Sequence, residues 1–148
     1  MKRQQRTIGA VLRVPLENDM HTYALTLPEA DFAFFDARSS APIADLGALL
    51  DLPILFTVAV HKSAWSQGRW LKMGKIAPPQ NLLAPRPMFI QKIIGFQIYL
   101  GGTITASTRE ECEGLDRCEV WEPHHVEDRL NAHYKGVPCK WEISQRIR

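Results

Sequence analysis

The sequence has 148 residues, and its 18 Lys and Arg against 16 Asp and Glu give a formal net charge of +2. Its 45% hydrophobic and 23% charged residues are ordinary for a folded globular protein and exclude an intrinsically disordered chain. The small net charge argues against a dedicated nucleic-acid-binding protein, which carries a large basic excess. The length predicts one domain over residues 1–148, with residues 1–7 as a flexible basic N-terminus.

Charge is strongly segregated along the chain. Residues 52–109 contain seven basic residues and no acidic ones, whereas residues 110–128 contain eight acids and one base. Such blocks either create a surface that steers a charged partner or pair with each other across the fold, and the sequence leaves both interpretations open. The eight acids are Glu110, Glu111, Glu113, Asp116, Glu119, Glu122, Glu127 and Asp128.

No targeting segment is predicted. The basic start lacks the uninterrupted apolar run of a signal peptide, because Arg13 lies within residues 8–16. The longest apolar stretch, residues 54–60, is too short to cross a bilayer. Three cysteines without paired spacing are typical of reduced thiols, so we expect a cytoplasmic protein.

A β-hairpin is predicted in the first third of the chain. Residues 8–16 form an apolar run that ends near Pro15, a strand-end position where the missing N–H is tolerated. Residues 17–19 supply a turn. In residues 21–27 the alternate apolar side chains fall on one face, and they are Tyr23, Leu25 and Leu27.

Further strands and one helix are expected after the hairpin. Residues 54–60 are apolar on both faces and therefore predict a central strand. A helix is predicted between an N-cap at Ser39 or Ser40 and a stop at Pro53, with an apolar stripe of Ile43, Leu46, Leu49 and Leu50. The other predicted strands are residues 31–36, 69–73, 88–100 and 103–105.

Two helices are predicted near the end. Thr108 and Glu111 form a capping box, and Gly114 ends that short helix. Pro123 begins the last helix, which stops at Gly136. Strands first and helices later predict an α+β fold with a mostly antiparallel sheet, for which a curved or partly closed barrel is one form.

The sequence contains no recognisable catalytic or metal-binding constellation. Cys112 and Cys118 lie too far apart for the close ligand pairs of structural zinc, and Cys139 stands alone. Neither a Gly-x-Ser-x-Gly elbow nor a Walker loop occurs. His124 with Asp128 is more simply a helix-surface pair than a catalytic dyad. We therefore predict a non-enzymatic protein with no metal and no cofactor.

The four tryptophans are either core residues or binding anchors. Tryptophan is costly to expose and enriched at interface hot spots, and the core is the favoured interpretation for each. Trp65 is the best anchor candidate, because the small and polar residues around it are typical of an exposed loop.

Several segments, taken in order, carry a family resemblance. Residues 8–16 are similar to an opening strand that ends in Ile/Val-Pro-Leu, and residues 68–75 resemble a Gly-x-Trp-x-x-Ile-Gly pattern, with Met73 in place of Ile. Together with other segments, they resemble the immunity protein 26 family of bacterial polymorphic toxin systems from about residue 7 to residue 141. Those other segments are residues 31–36, 53–58, 108–115 and 121–130.

The resemblance implies a cytoplasmic bacterial protein that binds and neutralises a cognate toxin, and it implies no catalytic residues. The acidic stretch then predicts a surface complementary to a toxin with a basic groove, such as a nuclease. We expect no direct binding to nucleic acid or membrane, and a homodimer is compatible with the sequence. The candidate partner-binding residues are Trp65, Glu110, Glu111, Glu113, Asp116 and Trp121.

Two alternative functions remain open. One is a small enzyme that uses His124 or His125. The other is a ligand-binding or regulatory module whose pocket is lined by aromatic side chains, for which the competing interpretation is the protein core. These aromatics are Tyr23, Phe32, Phe34, Phe35 and Phe56.

Overall fold

Two β-sheets organise the chain in the computed structural model, which describes residues 3–148. The ten strands are β1 (Ala10–Pro15), β2 (His21–Thr26), β3 (Asp31–Phe35), β4 (Ile54–Val60), β5 (Leu71–Lys75), β6 (Met88–Gln91), β7 (Phe96–Leu100), β8 (Thr103–Ser107), β9 (Asp116–Arg117) and β10 (Val120–Trp121). The first sheet has the order β10-β4-β3-β2-β1-β5, and the second has the order β8-β7-β6-β9. Only the β10–β4 and β6–β9 pairs are parallel.

Four α-helices and two 3-10 segments connect and cover these strands. The α-helices are α1 (Gln80–Leu83), α2 (Arg109–Cys112), α3 (Pro123–Lys135) and α4 (Lys140–Ser144), and the 3-10 segments are Leu46–Asp51 and Lys62–Ala64. Helix α3 has Pro at its start and ends at Gly136 in the left-handed conformation (φ 71°), as predicted. The α+β fold class is thereby confirmed, whereas α4 was not predicted.

The first hairpin forms as the sequence indicates. Strands β1 and β2 pair antiparallel, with Pro15 opposite His21 at the end of the ladder. The turn places Asn18 and Asp19 at φ 61° and 57°, a left-handed conformation that Asn and Asp tolerate better than most residues.

The first sheet is buried on both faces. One face packs under α3 in a cluster that includes Phe32, Phe34, Trp70, Val126 and Leu130. The opposite face packs in a second cluster made of Val11, Tyr23, Leu25, Leu27, Ala33, Phe35 and Leu49. The alternation of Tyr23, Leu25 and Leu27 is confirmed, and double-sided burial explains why every residue of β2 is buried.

The helix predicted after β3 is wrong in extent and type. A 3-10 helix covers only Leu46–Asp51, and its N-cap is Asp45, whose carboxylate accepts from the Gly47 N–H. Two backbone hydrogen bonds, both 2.9 Å, tie Ser39 to His21, and residues 40–45 that follow are not helical. Leu49 alone of this segment is fully buried, which is enough to anchor it against the second cluster.

Two other expectations about the sheet need correction. Strand β4 does not lie centrally: beyond it lies only the two-residue β10, which pairs with Ala59 and Val60, and Ile54 is exposed. The sheets also remain open and do not close into a barrel. The six-stranded sheet ends at β5 and β10, and β8 and β9 form the edges of the smaller sheet.

Candidate interaction surface

The turn between β6 and β7 exposes two consecutive isoleucines. Ile93 and Ile94 have relative exposures of 104% and 90%, the largest among the exposed apolar side chains of residues 3–148. The Lys92 N–H donates to the Gly95 carbonyl at 3.1 Å, which closes the turn beneath them. Gly95 lies at φ 89°, a conformation that favours glycine. An ordered turn therefore presents apolar side chains to solvent where polar residues are the norm.

Helix α2 lies at the same end of the second sheet. Phe96, directly after the turn, pairs with Ser107, the last residue of β8, and α2 begins two residues later. The buried Cys112 thiol lies 3.8 Å from the Gln97 carbonyl oxygen, which anchors α2 against β7. The strand register thus brings the isoleucine turn and the acidic helix together.

Thr108 caps the N-terminus of α2 as predicted, although the reciprocal backbone bond of a full capping box is not among the hydrogen bonds of residues 3–148. The Thr108 hydroxyl oxygen accepts from the Glu111 N–H at 3.2 Å, and the hydroxyl donates to the Glu111 carboxylate at 3.1 Å. Glu110, Glu111 and Glu113 are all exposed, and none forms an ion pair within residues 3–148. We call Ile93, Ile94, Glu110, Glu111 and Glu113 the hairpin-tip surface.

Two basic residues moderate the charge of the hairpin-tip surface. Lys92 belongs to the turn, and Arg109 opens α2 and donates to the Arg148 carbonyl oxygen at 3.2 Å. Three glutamates therefore face two bases, so the local negative excess is small. The exposed isoleucines are the more distinctive feature of this surface.

Asp116 holds the two sheets together. Its carboxylate accepts from Arg86 at 3.0 Å, and Arg86 also donates to Asp31 of the first sheet at 3.0 Å. Arg69 binds Glu127 at 2.8 Å in a similar way. Asp116 and Glu127 therefore form ion pairs with the basic block. The three glutamates of α2 form no ion pair within the described residues.

The two candidate tryptophans lie apart from α2. Trp121 is only 7% exposed and belongs to the first core cluster. Trp65 is half-buried against the same cluster, so its loop is less exposed than its composition indicates. Gln4 donates to the Trp65 and Trp70 carbonyl oxygens, both at 2.8 Å, which docks this part of the N-terminal segment. Met1 and Lys2 lie outside the described residues.

Of the six candidates, the structure therefore brings the three α2 glutamates together on one exposed element, whereas Trp65 and Trp121 share the first core cluster and Asp116 is ion-paired. Sequence reasoning missed Ile93 and Ile94. The available signal was an apolar pair in front of Gly95, between two strand-forming stretches, where a turn is expected to be polar.

The two histidines considered as catalytic residues, His124 and His125, pack against Trp141 of α4. Within residues 3–148 no group of three or more His, Cys, Asp or Glu side chains could hold a metal ion. His125 stacks on Trp141 with ring centroids 3.6 Å apart, and burial, with neighbouring His124 adding to it, lowers the pKa of His125. Trp141 in turn donates to Asp128 at 2.9 Å, so this cluster fastens α4 to α3.

The aromatic side chains considered for a ligand pocket form the core instead. Phe32 and Phe34 lie on one face of the first sheet, whereas Tyr23 and Phe35 lie on the other, and all four are at most 1% exposed. Phe56 is half-buried beside Phe34. The aromatic-lined pocket is therefore ruled out by their placement on two opposite faces.

An open cleft of about 630 Å³ separates the two sheets. Met88, Tyr99 and Val120 give it apolar walls, and Glu29 accepts from the Tyr99 hydroxyl at 3.2 Å across it. The hydrogen bond to Glu29 raises the pKa of Tyr99.

The fold is thus an open two-sheet α+β domain with an exposed apolar turn. The immunity protein 26 family model matches residues 7–100, which is more than half of the chain. The chain therefore belongs to the immunity protein 26 family, as the sequence resemblance indicated. The match includes the isoleucine turn and ends at the last residue of β7.

Other comparisons add no relatives. No curated protein and no solved structure shows significant similarity to the chain. No helix within residues 3–148 has the length and apolar character needed to span a membrane.

Proposed function

We propose that this immunity protein acts without catalysis in the bacterial cytoplasm, where it binds and neutralises a cognate toxin through the hairpin-tip surface. Family membership supports an immunity role in general. The observation that carries the surface assignment is the full exposure of Ile93 and Ile94 on an ordered turn.

The two isoleucines supply the affinity in this proposal. Full burial of one Ile side chain contributes about 1.5–3 kcal/mol. Since about 1.4 kcal/mol is a tenfold change in affinity, each isoleucine seated in a pocket strengthens binding by about 10-fold to 100-fold. The partner is therefore expected to offer an apolar pocket of matching size.

The glutamates of α2 supply orientation and a faster association. A basic groove on the toxin, of the kind that a nuclease uses for its substrate, would complement Glu110, Glu111 and Glu113. Because Lys92 and Arg109 lie beside them, we expect only a modest electrostatic contribution. The proposal does not depend on Trp65, Asp116 or Trp121.

Rescue from a candidate toxin, chosen from a modular toxin gene found beside this one, tests the function. The C-terminal toxin domain is co-expressed with the wild-type chain or with the double variant I93S/I94S. We expect wild type to restore growth and the double variant to bind the purified toxin domain at least 100-fold more weakly. Leu50→Ser is the matched control, because Leu50 is an exposed apolar residue of the 3-10 segment Leu46–Asp51, which packs on the first sheet.

Two outcomes would contradict the proposal in different ways. If wild type fails to rescue growth, this toxin is not the target. If I93S/I94S folds and still binds like wild type, the surface assignment is wrong while neutralisation stands.

Association kinetics test the acidic part separately. We expect the association rate of wild type to fall as salt rises, and the triple variant E110Q/E111Q/E113Q to lose that dependence. Glu122→Gln removes one exposed acid outside α2 and is the control. A wild-type association rate that does not change from low to high salt would contradict the steering role.

A further inference from the structure

A second candidate site lies where the two sheets meet α3 and α4. It is a cavity of about 80 Å³, which holds several water-sized groups. Its walls combine four arginines, three carboxylates and the side chain of Gln145.

Three of these arginines already have acceptors. Arg86 donates to Asp31 and Asp116, and Arg146 donates to Glu142 at 2.9 Å. Arg117 donates to the Gln145 carbonyl oxygen at 3.1 Å and to the Arg146 carbonyl oxygen at 2.9 Å. The guanidinium groups of these three arginines therefore already have hydrogen-bond acceptors within the protein.

Arg129 is different, because its guanidinium lies over the faces of two aromatic rings. Its Cζ lies 3.9 Å from the Phe56 ring centroid and 5.3 Å from the Trp121 ring. Within residues 3–148 its guanidinium makes no hydrogen bond and no ion pair. This guanidinium lines the cavity, so its N–H donors are available to a group bound there.

Burial also opposes the charge of this guanidinium. It lowers the pKa of Arg129, and the nearby carboxylates of Glu142 and Asp116 counteract that effect. Both carboxylates are already engaged, with Arg146 and Arg86 respectively. An acceptor-rich ligand would relieve the cost of a half-buried cation without hydrogen bonds.

Gln145, which lines the same cavity, carries an orphaned acceptor. The side-chain carbonyl oxygen of Gln145 is buried and has no hydrogen-bond donor among residues 3–148. A ligand that satisfies both groups needs oxygens that accept from Arg129 and one O–H that donates to Gln145. A buried polar atom left unsatisfied costs about 1–3 kcal/mol, so the second requirement is selective.

We infer that this cavity binds a phosphate group in its protonated form, either inorganic phosphate or a small phosphomonoester, between Arg129 and Gln145. Hydrogen phosphate carries acceptor oxygens and an O–H, whereas sulfate has the same shape without a proton and acetate has fewer acceptors. Asp116, Glu119 and Glu142 in the wall also favour the less charged, protonated form. This inference is independent of toxin binding.

The test uses the full chain in a phosphate-free buffer at constant ionic strength. Inorganic phosphate, glycerol 3-phosphate, sulfate and acetate are titrated by calorimetry, and the arginine Nε–H resonances are followed by NMR. We expect phosphate to bind at least tenfold more tightly than sulfate or acetate and to shift the Arg129 resonance. The glycerol 3-phosphate titration shows whether the cavity also admits a monoester.

Two variants assign the contacts. Arg129→Lys keeps the charge but loses the planar donor fork, and it should weaken phosphate binding at least tenfold. Arg38→Lys is the matched control, because Arg38 also lies over an aromatic ring, that of Tyr134, at 4.9 Å. Gln145→Leu should reduce the preference for phosphate over sulfate, and it serves as the second variant should Arg129→Lys fail to fold.

The inference is overturned if phosphate gives neither heat nor a shift of the Arg129 resonance. It is equally overturned if sulfate binds wild type as tightly as phosphate. Unchanged phosphate binding in folded Arg129→Lys, or an unchanged phosphate preference in folded Gln145→Leu, would also contradict it.

Discussion

The indole N–H of Trp70 donates to the Glu127 carboxylate at 2.8 Å, joining the start of β5 to helix α3. Glu127 also accepts two hydrogen bonds from Arg69, both 2.8 Å. Trp70 is fully buried and meets Phe32 and Phe34 edge to face. A residue of the acidic block is therefore a structural acceptor beneath the helix.

Replacing Glu127 tests this role. In Glu127→Gln only the amide oxygen can accept a hydrogen bond. One of the two acceptor atoms that Trp70 and Arg69 use is therefore lost. We expect the free energy of unfolding to fall by about 1–3 kcal/mol in urea denaturation. Glu110→Gln is the control and should stay within about 0.5 kcal/mol of wild type, because Glu110 is exposed and unpaired within residues 3–148. Equal stability of the two variants would contradict the prediction.

Gly9 should tolerate substitution by alanine less well than Gly114. Its φ is 90°, and a Cβ placed on it would lie 2.5 Å from the Ile76 carbonyl oxygen, a backbone atom that cannot move freely. Gly114 has a similar φ of 82°, but its Cβ would meet nothing within 4 Å. We expect Gly114→Ala to cost about 1–2 kcal/mol through backbone strain alone, and Gly9→Ala to cost clearly more in the same denaturation assay. Similar losses in both variants would show that the contact with Ile76 is unimportant.

His21 should make the folded state sensitive to mild acid. The ring is 7% exposed and lies 3.0 Å from the Tyr23 hydroxyl, and burial, aided by the charge of Arg13, lowers the pKa of His21. Below about pH 6.5 the unfolded chain binds a proton that the folded chain resists, so stability falls as pH drops.

The measurement compares the free energy of unfolding at two pH values on either side of pH 6.5. We expect His21→Gln to lose less stability than wild type between them, although its stability at the higher pH is also lower. His125, whose pKa is lowered in the same sense, leaves some pH dependence in the variant. The exposed His133, changed to Gln, is the control. An unchanged pH dependence in His21→Gln would refute the prediction.

Tyr134 should titrate well above the ordinary range of tyrosine. Burial, together with the hydrogen bond that its hydroxyl donates to Asp36 at 2.9 Å, raises the pKa of Tyr134 to about 12. The unfolded chain loses this proton first as pH rises above about 10, so the stability that the interaction contributes is lost progressively between there and about pH 12. Ultraviolet titration of wild type should show a tyrosine that ionises near pH 12 and is missing in Tyr134→Phe. Identical high-pH ends of the two curves would contradict this assignment.

The local elements that the sequence predicts correctly depend on short-range physics. Proline at the first turn of α3 and glycine after its last residue define that helix, because both act on the backbone itself. The N-cap at Thr108 and the alternation of Tyr23, Leu25 and Leu27 can likewise be predicted without a structure. The helix prediction for residues 39–53 is wrong for the opposite reason. Ser39 is hydrogen-bonded to His21, a residue distant in sequence, and local helix signals do not reveal such a contact.

The sequence by itself determined the family, the α+β class and the segregation of charge into a basic and an acidic block. Only the tertiary structure decided which charges are free: Asp116 and Glu127 are taken up by Arg86 and Arg69, whereas the glutamates of α2 remain exposed. It also placed Ile93 and Ile94 in solvent beside α2 through the pairing of β6, β7 and β8. The physical reason is that burial and ion pairing depend on contacts between residues distant in sequence, which no local pattern encodes.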